Sequence, residues 1–220
     1  MTRLSGKTRQ MPERKKEQPT GLRSSLEALN RLTDTQPSHG HFALWQEEVT
    51  AEKNDRGAAI LLATNVENAI QSAIVRFIDV KAGQSGRLFR SNGPLSSFAN
   101  KITIAYALNI FGEETQTNLE LIRSVRNTFA HAKVPITFET TEVQRACEFL
   151  TIPTLLPPHT VLNDRGAESK GRKRFQIVCN DTAHNLLMIS LSGRHGVDPQ
   201  ALNFHLPAGM HLMAVASPLP

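Results

Sequence analysis

One long apolar stripe constrains this chain more than any other feature. Between Asn54 and Val80, the residues Ala58, Leu61, Leu62, Val66, Ala69, Ile70, Ala73, Ile74 and Phe77 recur at intervals of three or four. That spacing lines one face of a helix, and Asn54-Asp55 supplies an N-cap at its start. A single helix cannot bury such a stripe against itself, so the pattern calls for further helices around it.

The rest of the chain supplies them. A second helix starts at Ser96 or Ser97, carries Phe98, Ile102, Ala105, Leu108 and Phe111, and ends at Gly112. A third begins near Thr115–Thr117 and carries Leu119, Ile122, Val125 and Phe129 down to His131. Thr141 to Leu150 reads as another, with Val143, Ala146, Cys147 and Leu150 inward and Pro153, Pro157 and Pro158 beyond its end. Earlier, Ser24-Ser25-Leu26-Glu27 has capping-box spacing for a short helix over 24–33, and helix resumes from Phe42 to Lys53. Residues 81–95 read as a loop, and 163–174 as a basic connector. Phe175, Val178, Cys179, Thr182, Leu186 and Ile189 favour a final helix ending at Gly193, with two short strands at 175–179 and 185–191 as the alternative. The fold class expected is therefore an all-α bundle. Its organisation is a disordered basic arm (1–23), a helical domain (24–192) and a tail (193–220) without clear period.

The chain has 220 residues, which suits one domain with tails, and its 40% hydrophobic content excludes a wholly disordered chain. Its apolar runs are short and broken, so no membrane span is expected, and Met1 to Thr20 lacks the apolar core of a secretory signal. Two cysteines, Cys147 and Cys179, cannot build a disulfide framework and suit a reducing cytoplasm. The net charge of +5 invites a nucleic-acid reading, but its location argues otherwise. Residues 1–23 hold seven basic and two acidic side chains, which equals the whole excess. Residues 24–162 sum to −2 and residues 163–220 to +2. Electrostatic affinity for RNA or DNA is thus expected of the arm.

Chemistry concentrates at Ile122-Arg123-Ser124-Val125-Arg126-Asn127-Thr128-Phe129-Ala130-His131. Arg126 and His131 lie five residues apart, about 140° around a helix, so they do not stack on one face. Both still reach one cleft if the helix frays or if two subunits share it. An imidazole, a guanidinium and an orienting amide suit metal-independent RNA cleavage: the imidazole moves the proton and the guanidinium holds the phosphate. The structural alternative has His131 capping the helix and Arg126 pairing with an acid on a neighbouring helix. Glu67, flanked by Asn65 and Asn68 in the long apolar helix, is the candidate for that acid; otherwise it faces solvent. Arg87 and Arg90, close to Ser96 and Ser97 at a helix start, form a candidate anion site, with a solvated, serine-capped loop as the alternative. His39-Gly40-His41 lacks supporting ligands and reads as a solvated loop. No metal site and no cofactor are expected. Trp45 and Tyr106 are the sole Trp and Tyr, too few for a stacking platform, and no helix-turn-helix, P-loop or dinucleotide fingerprint occurs.

Four segments carry a resemblance. Asn54-Asp55-Arg56-Gly57-Ala58-Ala59-Ile60, Gly93-Pro94-Leu95-Ser96-Ser97-Phe98, Ile104-Ala105-Tyr106-Ala107-Leu108 and Arg126-Asn127-Thr128-Phe129-Ala130-His131 together resemble the mannitol operon repressor family, over about residues 54–150. Ser96 and Asn109 depart from it, each standing where a glycine is usual. The resemblance implies an all-helical regulator without a recognisable DNA-binding motif. The Arg-Asn-x3-His element is also similar to the signature of the HEPN superfamily, helical dimers that include RNases and non-catalytic members. It marks Arg126, Asn127 and His131 as the candidate site. The function expected is transcriptional regulation through protein or non-specific nucleic-acid contacts. A HEPN-type endoribonuclease and a structural adaptor are the alternatives. The expected partners are a second copy, RNA or DNA through residues 1–23, or another protein, and no membrane.

Overall fold

Asn54 begins the central helix as its sequence predicts: its Oδ1 accepts from the backbone N–H of Arg56 at 2.9 Å and of Gly57 at 3.2 Å. Two of the donors that open every helix are thereby satisfied, a cap worth about 1 kcal/mol. The computed structural model describes residues 21, 24–29, 39–78, 80–81, 83–90, 92–152 and 169–192. It divides the chain into units 1–36 and 37–220. In the first unit residues 24–29 are helical, and Ser25 Oγ donates to Gly21 O at 2.9 Å. The remainder of the expected basic arm, residues 30–33 of the expected helix, residues 163–168 of the connector and the 193–220 tail lie outside the described residues.

The second unit is built from helices α1 (His39–Ala51), α2 (Asp55–Phe77), α3 (Ser85–Phe89), α4 (Phe98–Ala107), α5 (Glu113–His131), α6 (Thr141–Glu148) and α7 (Lys170–Ser192). There is no strand among the described residues, so the all-α expectation holds and the two-strand alternative for 175–191 is set aside. Several boundaries differ from the periodicity. The final helix starts at Lys170, because Arg172 and Arg174 turn inward to backbone carbonyls instead of forming a solvated connector. The 81–95 loop contains the single-turn α3, and the His39–His41 segment opens α1. Helix α4 stops at Ala107, five residues before Gly112, where Asn109 adopts the left-handed conformation (φ 55°). Asparagine tolerates that region better than any other non-glycine residue, which suits it to this turn.

Helix α2 is the axis, packed most extensively by α7 and also touching α1, α4 and α5. Its burial exceeds the single stripe: Ala59, Ala63, Asn65 and Ser72 are enclosed together with Ala58, Leu62, Val66, Ala69, Ile70, Ala73 and Ile74. Small residues let neighbouring helices close on more than one side. By length and mean hydropathy (1.3) α2 is apolar enough to cross a membrane, but most of it is buried inside the bundle, which is the setting of a core helix. Phe138 packs between Phe129 of α5 and Phe175 of α7 with the rings tilted, their centres 4.8 and 5.5 Å apart. Cys147 and Cys179 are free and buried in this core. Burial pushes the Cys147 thiol up to about 12, against a smaller opposing pull from Arg174, and raises Cys179 as well. Neither is a reactive thiolate.

Candidate functional site

The N-terminal motif of α2 is occupied with holding the fold together. Asp55 accepts from the backbone N–H of Phe138 at 2.9 Å and pairs with Arg172 at 3.0 Å. Arg172 also donates to the carbonyls of Lys53 and Glu52. Arg56 Nη2 reaches the carbonyls of Ala132 at 3.2 Å and Val134 at 3.4 Å. Ala132 caps the C-terminus of α5 and Val134 follows it, so Arg56 fixes the backbone just beyond His131.

The second motif shapes the rim of a cleft. Gly93 packs so tightly that a Cβ would strike the carbonyl oxygens of Leu88 and Arg87, so only glycine fits there. Leu95 N–H then donates back to Leu88 O at 2.8 Å, and Asn100 Nδ2 donates to Pro94 O at 2.8 Å. Ser97 caps α4, its Oγ accepting from Asn100 N–H at 3.1 Å.

Between α2, α4 and α5 opens a cleft of about 250 Å³, whose polar lining is Glu67, Ser96, Ser97, Arg123, Arg126 and Asn127, beside Phe98 and Ala99. Glu67 is the electrostatic centre. Its Oε1 takes Lys101 Nζ at 2.8 Å and its Oε2 takes Arg126 Nη2 at 3.1 Å. Exposure of the three side chains is 13% for Glu67, 6% for Lys101 and 31% for Arg126. Arg126 Nη1 also donates to Asn127 Oδ1 at 3.0 Å. Arg123 is tied to Glu120 one turn earlier, at 2.7 Å.

The expected site residues divide accordingly. Glu67, Arg126 and Asn127 come together, with Glu67 facing inward as the partner of Arg126. His131 ends α5, is exposed, and does not line this cleft. Ser96 and Ser97 line it, whereas Arg87 and Arg90 are exposed and lie outside it. The arginines that join the serines are Arg123 and Arg126.

Two participants escaped the sequence reading. Lys101 sits three residues after Phe98 and four before Ala105, both inward positions, so a buried cation was signalled by that spacing. Arg123, Arg126 and Asn127 fall at i, i+3 and i+4, which places them on one helix face.

A second, smaller cavity of about 50 Å³ lies between α1 and α2, lined by Trp45, Leu61 and Asn65, whose buried Oδ1 has no protein partner. Among the described residues no group of three or more His, Cys, Asp or Glu is placed to hold a metal ion. No protein-family model, no curated protein and no solved structure matches the chain.

Proposed function

We propose that this protein is a non-catalytic regulatory domain of the mannitol operon repressor type, acting through protein or non-specific nucleic-acid contacts. The observation that carries the reading is the placement of Arg126 and His131. Arg126 is engaged by Glu67 at 3.1 Å and faces a cleft that His131 does not line. Acid–base catalysis needs its proton carrier within reach of the proton it moves on the bound substrate, and His131 is not on the wall of the cleft that Arg126 faces. The four-segment resemblance supports the same reading. A cytoplasmic location belongs to it, supported by two free, buried thiols that a reducing compartment preserves.

A HEPN-type endoribonuclease is the second reading, favoured by one observation. Arg126 remains about one third exposed and His131 is exposed at the helix end, so a second copy can reach both.

Labelled RNA incubated in EDTA with the wild type, His131→Ala and Arg126→Ala separates the two. The regulator reading expects no cleavage by any of them, and salt-sensitive RNA or DNA binding that falls when residues 1–23 are deleted. Chelator-resistant cleavage that disappears in both folded variants establishes the nuclease instead.

A further inference from the structure

The charges around Glu67 do not cancel. One carboxylate faces two cations, Lys101 and Arg126, and the three side chains are 13%, 6% and 31% exposed. Arg123, the remaining cation on the cleft wall, is answered by Glu120. The Glu67 cluster therefore holds one positive charge in excess in a partly desolvated setting, where an uncompensated charge is costly.

The hydrogen-bonding groups on the wall have the same sense. Among the described residues Glu67 is the sole carboxylate lining the cleft, and its two oxygens take Lys101 and Arg126. Arg126 spends one Nη1 and one Nη2 hydrogen on Asn127 and Glu67, and a guanidinium carries five in all. Asn127 accepts through Oδ1, so its Nδ2 is the end that donates to a ligand. Ser97 Oγ accepts from the α4 backbone, so its O–H also remains a donor, beside Ser96. The start of α4 adds the partial positive charge of a helix N-terminus. Among the described residues the cleft is a surface of donors with a single unmatched positive charge.

We propose that this cleft binds one phosphate group carrying a single negative charge, held by Arg126 with Asn127, Ser96 and Ser97. Charge fixes the stoichiometry at one. Tetrahedral oxygens use converging donors from several directions, and Arg126 turns toward them without abandoning Glu67, whose charge Lys101 keeps compensated from behind. A backbone phosphodiester and the monoanion of inorganic phosphate share this chemistry. The inference rests on the contact-making reading above and identifies what its cleft contacts.

The test measures binding directly. Isothermal titration with inorganic phosphate, and separately with a short uridine oligonucleotide, is run on the full chain against chloride at matched ionic strength, on the acidic side of neutrality where inorganic phosphate is chiefly the monoanion. With inorganic phosphate one site is expected, weakened about tenfold or more in Arg126→Gln. Lys101→Met removes the excess charge without touching the cleft wall and should also weaken binding, whereas Glu67→Gln doubles the excess and should strengthen it. Arg123→Met, at a half-exposed position, serves as the wall variant if either core variant fails to fold. No heat beyond chloride in the wild type overturns the proposal, as does binding unchanged in folded Arg126→Gln and Lys101→Met. Phosphate binding without oligonucleotide binding keeps the cleft but removes the nucleic-acid arm of the regulator reading. RNA cleavage with intact phosphate binding removes the non-catalytic reading alone.

Discussion

Glu67 and Arg126 stand 59 residues apart in sequence and 3.1 Å apart in space, joining the central helix α2 to α5. The same carboxylate holds Lys101 of α4, so one largely enclosed acid ties three helices together.

Removing that acid should be costly. Glu67→Leu strands Lys101 beside an apolar core, and breaking a buried ion pair from one side costs about 3 kcal/mol. The double variant Glu67→Leu/Lys101→Met should recover most of the loss, because the orphaned ammonium is then gone as well. Urea melts of the wild type, both single variants and the double variant give the coupling. Strictly additive losses would show that Glu67 and Lys101 do not act as a pair.

Asp181 on α7 should make stability fall toward neutral pH. Burial lifts its carboxyl to about 6, against a smaller opposing hydrogen bond from Asn185. The folded state thus holds this proton more tightly than the unfolded chain does. The stability it contributes is full below the ordinary aspartate value and is lost as pH rises through about 6, amounting to about 3 kcal/mol. Asp181→Asn keeps the acceptor for Asn185 and removes the ionisation. Its melting temperature should match the wild type near pH 4 and exceed it near pH 7.5. A pH-independent difference between the two would refute the assignment.

The motif at the start of α2 should separate into a small effect and a large one. Asn54→Ala loses a helix cap, about 1 kcal/mol. Asp55→Ala deprives Phe138 N–H of its acceptor and Arg172 of its counter-charge, about 3 kcal/mol. Chemical denaturation that ranks the two the other way round would contradict the described contacts.

Gly93→Ala should loosen the cleft rim at the carbonyls of Leu88 and Arg87, at a cost of about 2 kcal/mol. Limited proteolysis should then cut between Arg87 and Ser96 sooner than in the wild type, while Gly21→Ala, with open space around its Cβ position, should leave that cleavage unchanged.

The helices were legible because their signal is local. An apolar residue every three or four positions, a capping Asn54 or Ser97 and a breaking Pro153 each act within a few residues of chain. Where packing intervened, the reading failed. Lys170 to Arg174 looked like solvated connector because a run of cations usually is. Here Arg172 and Arg174 donate to the carbonyls of Glu52, Lys53 and Leu150, far away in sequence. Likewise Arg87 and Arg90 lie near Ser96 in sequence, but Arg123 and Arg126 lie near it in space.

The sequence by itself favoured an all-α class with two short strands over 175–191 as the alternative, and determined a net charge of +5 equal to that of residues 1–23 and a short list of polar residues on apolar helices. Periodicity and charge are properties of neighbours along the chain, so no fold is needed to see them. Only the tertiary structure decided which polar residues meet. It turned Glu67 toward Lys101 and Arg126, put Ser96 and Ser97 on the same cleft, and left His131 outside it. The physical reason is that ion pairing falls off over a few ångströms, and spacing along one helix does not encode the distance to another.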